Sequence, residues 1–162
     1  MMQIDYDVII VGGRVAGSSL AARLGRSGFN VLLLERSEFP LFPAVSCPII
    51  YASTMQMLDE IGADEDVYAR NTPKIRRMTS VSPTYTGALP LPEHKGRDYA
   101  YAIDRARFDN ALWETAINTP NVEGRQGFSV TDLLWDGDSV VGIVGKAKDG
   151  ESENIRADVV VG

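Results

Sequence analysis

The sequence predicts an α/β fold, with a βαβ unit first, a mainly parallel sheet, and an antiparallel β-meander later in the chain. Three observations predict it. Two apolar, β-rich runs, Tyr6–Val11 and residues 30–35, flank a stretch of helical periodicity. The first run ends in Gly12-Gly13, a tight-turn signal. Toward the end, Asp136-Gly137-Asp138 and Asp149-Gly150 separate runs of strand-forming residues.

Tyr6-Asp7-Val8-Ile9-Ile10-Val11 reads as a strand buried on both faces, because its apolar positions are continuous rather than alternating. Over residues 15–27, Ala16, Leu20, Ala21 and Leu24 recur three and four apart, and Gly28 supplies a helix stop. Asn30-Val31-Leu32-Leu33-Leu34-Glu35 is the second strand, ending in a carboxylate, and with the helix as crossover it completes a βαβ unit whose sheet is expected to be parallel. Residues 36–52 carry Pro40, Pro43 and Pro48 and no periodicity, which reads as a functional loop. Ser53-Thr54-Met55-Gln56 fits a capping box for a helix carrying Met55, Leu58 and Ile61 up to Gly62. Residues 64–100 mix acidic, basic and Pro/Gly-rich stretches with short strands such as residues 78–81. Asp104 caps a helix whose Phe108, Ala111, Leu112 and Ala116 share a face, with Trp113 beside it and Pro120 beyond. Residues 126–135, 139–148 and 152–156 form the meander, and residues 157–162 repeat the style of the first strand.

Composition narrows the function. Of 162 residues, 44% are hydrophobic and 23% charged, an ordinary globular balance that excludes disorder and fibre. The net charge of −6 argues against nucleic acid as a partner, since no overall positive field attracts phosphate backbones. One Cys (Cys47) and one His (His94) permit no internal disulfide and too few ligands for structural zinc, so a reducing cytoplasm and no metal are expected. Asp5 and Asp7 sit where a signal peptide needs positive charge, and the apolar run at residues 8–11 is too short to span a bilayer. A soluble protein without an integral membrane segment is expected.

The residues that carry chemistry are Gly12, Gly13, Arg14, Val15, Ala16 and Gly17, followed 18 residues after Gly17 by Glu35. A glycine turn at a helix N-terminus offers unpaired N–H groups and a positive dipole end to a pyrophosphate. A carboxylate closing the second strand accepts from ribose hydroxyls and repels a 2′-phosphate, which favours an adenosine with free hydroxyls over NADP. Strand, turn, helix, second strand and acid stand in register, the context this fingerprint requires. Arg14 occupies the second glycine's place, where a bare backbone ordinarily approaches the pyrophosphate. Its side chain either points outward or lies beside the phosphates as compensating charge.

Residues 7–18 together with residues 31–36 resemble the amino-terminal, Rossmann-like FAD-binding unit of the FAD-dependent monooxygenase and geranylgeranyl reductase-like oxidoreductases. One subgroup is similar in carrying Arg at the second glycine. Phe39-Pro40, Ser46-Cys47, Leu58 and Gly62 are similar to the family's loop and helix after the second strand. Ile103-Asp104-Arg105-Ala106-Arg107-Phe108-Asp109-Asn110-Ala111-Leu112 resembles its Arg-x-x-Phe-Asp-x-x-Leu helix, and residues 157–162 resemble the run into a second flavin motif. The resemblance implies FAD as cofactor, with Glu35 on the adenosine ribose, Arg36 and Arg105 beside the cofactor, and the backbone of Val130 at the adenine. Leu41 departs from the polar or basic residue that relatives often carry after Phe-Pro. The resemblance further implies that residues 1–162 are the FAD-binding domain at the amino-terminal end of a longer enzyme, with the second flavin motif and substrate domain lying elsewhere.

Other candidates read plainly. A lone Cys47 is ordinarily a small buried hydrophobe, and His94 beside Glu93 a solvated loop residue. Lys74, Arg76 and Arg77 read as a solvated face. Of Arg105 and Arg107 only one can face the motif helix, and family spacing selects Arg105, whose plain alternative is an i,i+4 ion pair with Asp109. The expected function is a flavoprotein monooxygenase acting on a small organic substrate with NAD(P)H as transient reductant. The alternatives are a geranylgeranyl reductase-like isoprenoid reductase, or a non-catalytic module of this fold that binds a protein partner. The sequence names no catalytic acid or base.

Overall fold

The computed structural model describes residues 5–42 and 49–162. Along them run β1 (Tyr6–Val11), α1 (Val15–Arg26), β2 (Val31–Leu34), β3 (Ile49–Ile50), α2 (Ala52–Glu60), α3 (Glu65–Tyr68) and β4 (Arg77–Ser82). There follow β5 (Tyr85–Pro90), β6 (Tyr101–Ala102), α4 (Arg105–Ile117), β7 (Val122–Arg125), β8 (Phe128–Asp136), β9 (Ser139–Ala147) and β10 (Glu153–Val161). The main sheet has the order β7-β2-β1-β10-β9-β8. Its first four strands are parallel, with Val8 beside Val31 on one side and Val159 on the other, and Leu32 beside Glu123. The strands β10, β9 and β8 are antiparallel. The α/β class with a mainly parallel sheet and a meander is therefore the fold observed.

Strands buried on both faces feed two cores. Val8, Ile10, Val31 and Leu33 pack beneath α1, α2 and α4 with Met55, Phe108, Leu112 and Trp113. Their alternating neighbours Ile9, Leu32 and Leu34 meet Phe128, Ile143 and Ile155 on the other face. Asp104 caps α4 as expected, accepting from the N–H groups of Ala106 and Arg107.

Three readings are corrected. Ser53 does not cap α2: the helix starts at Ala52 from an N-cap Tyr51 that makes no side-chain cap bond, because burial of Ala52, Met55 and Leu58 sets its register. Residues 152–156 and 157–162 are not two strands but one, β10. Its first half pairs antiparallel with β9 and its second half parallel with β1. At that changeover Gly142 has φ +153°, and a Cβ there would stand 2.1 Å from the Ile155 carbonyl oxygen, so only glycine lets β9 come so close. Finally β7 had no sequence signal, since Val-Glu-Gly-Arg shows no apolar period; it is a strand because the edge of β2 offers it a parallel ladder.

A polar knot ties α2, α3 and β6 together. Glu65 accepts from the hydroxyls of Tyr99 (2.8 Å) and Tyr101 (2.9 Å) and pairs with Arg97, which also grips Asp59. Burial pushes the Glu65 carboxyl up, but the bonds from Tyr99, Tyr101 and Arg97 outweigh it and hold the group below its ordinary 4.5. A carboxylate with a depressed folded-state pKa adds stability above its unfolded value and loses it as pH falls through the folded one. Acidification below about pH 4.5 should thus weaken the fold, and Glu65→Gln should be less stable at neutral pH with a shallower acid slope. Urea unfolding across that range measures it, and an unchanged slope in the variant would place the linkage elsewhere.

Candidate functional site

The carboxyl ends of β1, β2 and β10 open onto a cleft of about 690 Å³, where open parallel sheets hold ligands. The turn and α1 contribute Gly12, Arg14, Ala16 and Gly17 to its lining. Glu35 and Arg36 line it from the end of β2, Val130 from β8, and Leu41 from the segment after β2. Seven of the ten residues singled out by sequence therefore share one cleft. Gly13, Val15 and Arg105 do not line it. Gly13 lies behind the turn against Trp113, while Val15 and Arg105 line an apolar groove of about 420 Å³ among α1, α2 and α4.

The turn has its shape because side chains are excluded from it. Gly12 has φ +109°, which L side chains rarely adopt. A Cβ on Gly17 would stand 1.8 Å from the Gly12 carbonyl oxygen, and one on Gly13 would stand 2.5 Å from the Trp113 ring and 2.9 Å from the Glu35 Cβ. The buried Ser18 hydroxyl donates to the Gly13 carbonyl (2.5 Å) and fixes the turn on the helix. The N-cap Arg14 makes no side-chain cap bond, and the first turn of α1 carries no acidic residue. Neither the cap residue nor a first-turn carboxylate therefore occupies its leading N–H groups, which stand at the positive end of the helix dipole, a donor set suited to phosphate.

Glu35 braces that turn. One carboxylate oxygen accepts from the Gly13 N–H (2.9 Å) and the other from the Ser37 N–H (3.0 Å), with the residue only 6% exposed. A carboxylate has about four lone-pair positions, so two protein donors leave room for ribose hydroxyls. The backbone on either side is held too: Glu35 N–H donates to the Arg125 carbonyl, and Phe128 N–H to the Glu35 carbonyl.

Arg14 is tied to α4 while it still lines the cleft. Its Nε donates to Asp109 on α4 (2.8 Å), a carboxylate with a side chain 1% exposed. Arg105 also donates to Asp109, at 2.7 Å, as an i,i+4 pair. Arg105 is thus linked to the motif turn through Asp109, whereas Arg107 donates to the Arg70 carbonyl. Sequence reading missed Asp109 and Trp113 as parts of the site, because on their own helix they read as an ion-pair partner and a core residue.

The remaining candidates lie off the cleft. Exposed His94 bonds Gln56, Lys74 sits 3.8 Å over the Tyr99 ring, and Arg76 pairs with Asp98. Cys47 lies outside the described residues. Among the described residues, no group of three or more His, Cys, Asp or Glu side chains could hold a metal, and no helix is long and apolar enough to cross a membrane.

Comparison with known proteins agrees with this geometry. Mouse (Mus musculus) squalene monooxygenase is 30% identical over 97% of the chain, and the digeranylgeranylglycerophospholipid reductase of Methanosphaerula palustris is 31% identical over 71%. The chain spans 28% of the length of each. Among solved structures, the myxobacterial FAD-dependent halogenase CndH superposes with a TM-score of 0.83 at 26% identity, over 96% of this chain and 36% of that one. The family described as FAD binding domain matches residues 5–162. With the glycine turn at the head of α1 and the braced carboxylate both in place, the chain belongs to the FAD binding domain family.

Proposed function

We propose that the chain holds the adenosine and pyrophosphate half of FAD in a flavoprotein monooxygenase that acts on a small organic substrate with NAD(P)H as reductant. The observation that carries this reading is the shared cleft, in which the Gly12–Gly17 turn and Glu35 meet at the carboxyl ends of parallel strands. The N–H groups at the head of α1 receive the pyrophosphate. Glu35 accepts from the ribose hydroxyls and Arg36 flanks the adenosine. The Val130 backbone edges the adenine, and Leu41 adds an apolar surface. The bound FAD supplies electron transfer between a reductant and oxygen or a substrate, while the protein orients it and excludes water. The single Cys47 supports a cytoplasmic setting.

The 31% identity to an isoprenoid reductase supports a second reading, reduction of an isoprenoid double bond. The absorption spectrum of the purified protein tests the common part, since flavin bands are expected and their absence would favour a non-catalytic module. Oxygen consumption separates the two enzymes: NAD(P)H oxidation that stops without oxygen marks a monooxygenase, and oxidation that continues anaerobically with an isoprenoid marks a reductase.

A further inference from the structure

We propose that Asp109 is a positioning residue for dinucleotide binding, and that it acts by holding Arg14 off the turn so that an arginine can stand where a glycine is ordinarily needed. The inference rests on the reading that the pyrophosphate lies at the Gly12–Gly17 turn. The second turn position must leave the backbone open to approach, and a side chain of arginine length can fold across it. Here the Arg14 side chain is drawn toward α4 by the 2.8 Å bond from its Nε to Asp109.

Three observations single out this contact. Asp109 is fully buried, yet it belongs to the helix N-terminal half beside the turn and not to the strands that frame the cleft. Its two oxygens are divided, one taking Arg14 and the other Arg105, so each guanidinium is held by a separate atom. Arg14 nevertheless lines the cleft and is 34% exposed in its side chain, so the held guanidinium still borders the space where phosphate would sit. Only its Nε is engaged by Asp109, and the fork carries four further N–H donors that suit phosphate oxygens. Asp109 therefore clears the turn and presents a positive charge at its margin in one contact.

Inhibition constants of ADP and of adenosine against FAD, each corrected for the FAD affinity of the same variant and read as recovered flavin fluorescence, test this. In Asp109→Asn, ADP should compete about tenfold more weakly than in the parent, the scale of one charge-assisted bond, while adenosine is unchanged. In an Arg14→Gly background, Asp109→Asn should alter ADP competition less than about twofold, because nothing remains to be held back. Arg14→Lys keeps the charge without the Nε–H and should lose ADP selectively, which supplies a test should Asp109→Asn fail to fold. Equal losses of ADP and adenosine would show a merely structural role and overturn the proposal. So would a tighter ADP complex in Asp109→Asn, which would mean that the carboxylate's charge outweighs its hold on Arg14. An undiminished effect of Asp109→Asn in the Arg14→Gly background overturns it as well. If ADP fails to displace FAD from the parent protein, the site reading falls and this inference with it.

Discussion

Gly17→Ala is expected to abolish FAD retention. A Cβ at residue 17 would lie 1.8 Å from the Gly12 carbonyl oxygen, and its closest contacts are with backbone, which cannot swing aside as a flexible side chain can. Helix α1 must then move away from β1, carrying its leading N–H groups out of the geometry that receives a phosphate. Overpacking of this kind costs about 1–3 kcal/mol in ordinary cores, and the fully backbone clash places this site at or beyond the upper end. Flavin affinity should fall by roughly a hundredfold or more, since each 1.4 kcal/mol is a factor of ten. Flavin content after purification and titration of the flavin-free protein with FAD measure it. Near-parental affinity would show that the close approach of α1 to the turn is dispensable. A control at Gly28, whose added Cβ would meet nothing within 4 Å, should bind FAD normally despite the strain of φ +92°.

Glu35→Arg should likewise leave the purified protein largely without flavin. The carboxylate is 6% exposed and accepts two backbone N–H bonds, from Gly13 and Ser37. Arginine has no acceptor, so both donors are orphaned and a cation is placed where an anion was held, at a cost of several kcal/mol. It would also remove the acceptor proposed for the ribose. Glu35→Gln is the milder change: it keeps the shape and one carbonyl acceptor, and should fold while weakening FAD about tenfold. Flavin content unchanged in both variants would remove Glu35 from the cofactor site. If Glu35→Gln binds FAD normally and Glu35→Arg does not, the negative charge is dispensable and the shape with a single acceptor suffices.

These two residues are legible in the sequence because their signals are local. The spacing from Gly12 to Gly17 and on to Glu35 follows from one strand, one turn, one helix and one more strand, each fixed by short-range periodicity. β1 occupies the predicted residues Tyr6–Val11, and Asp104 caps the helix it was expected to cap. The meander turns fell where Asp-Gly pairs demanded them. Ser53 shows the limit of the same method, since a well-formed capping pattern lost to the burial of Ala52 and Met55.

The sequence by itself determined the βαβ unit, the glycine turn and the acid at the end of the second strand, because propensity, period and turn chemistry act within a few residues. The tertiary structure alone decided that Val-Glu-Gly-Arg becomes a strand, that β10 serves two partners of opposite direction, and where Arg14 points. Each of these depends on a neighbour brought from afar. Arg14 and Asp109 are 95 residues apart in the chain, and the edge of β2 that recruits β7 exists only once β1 and β2 have paired. A backbone ladder or a buried ion pair is satisfied by whatever the fold places beside it, and no local pattern encodes that choice.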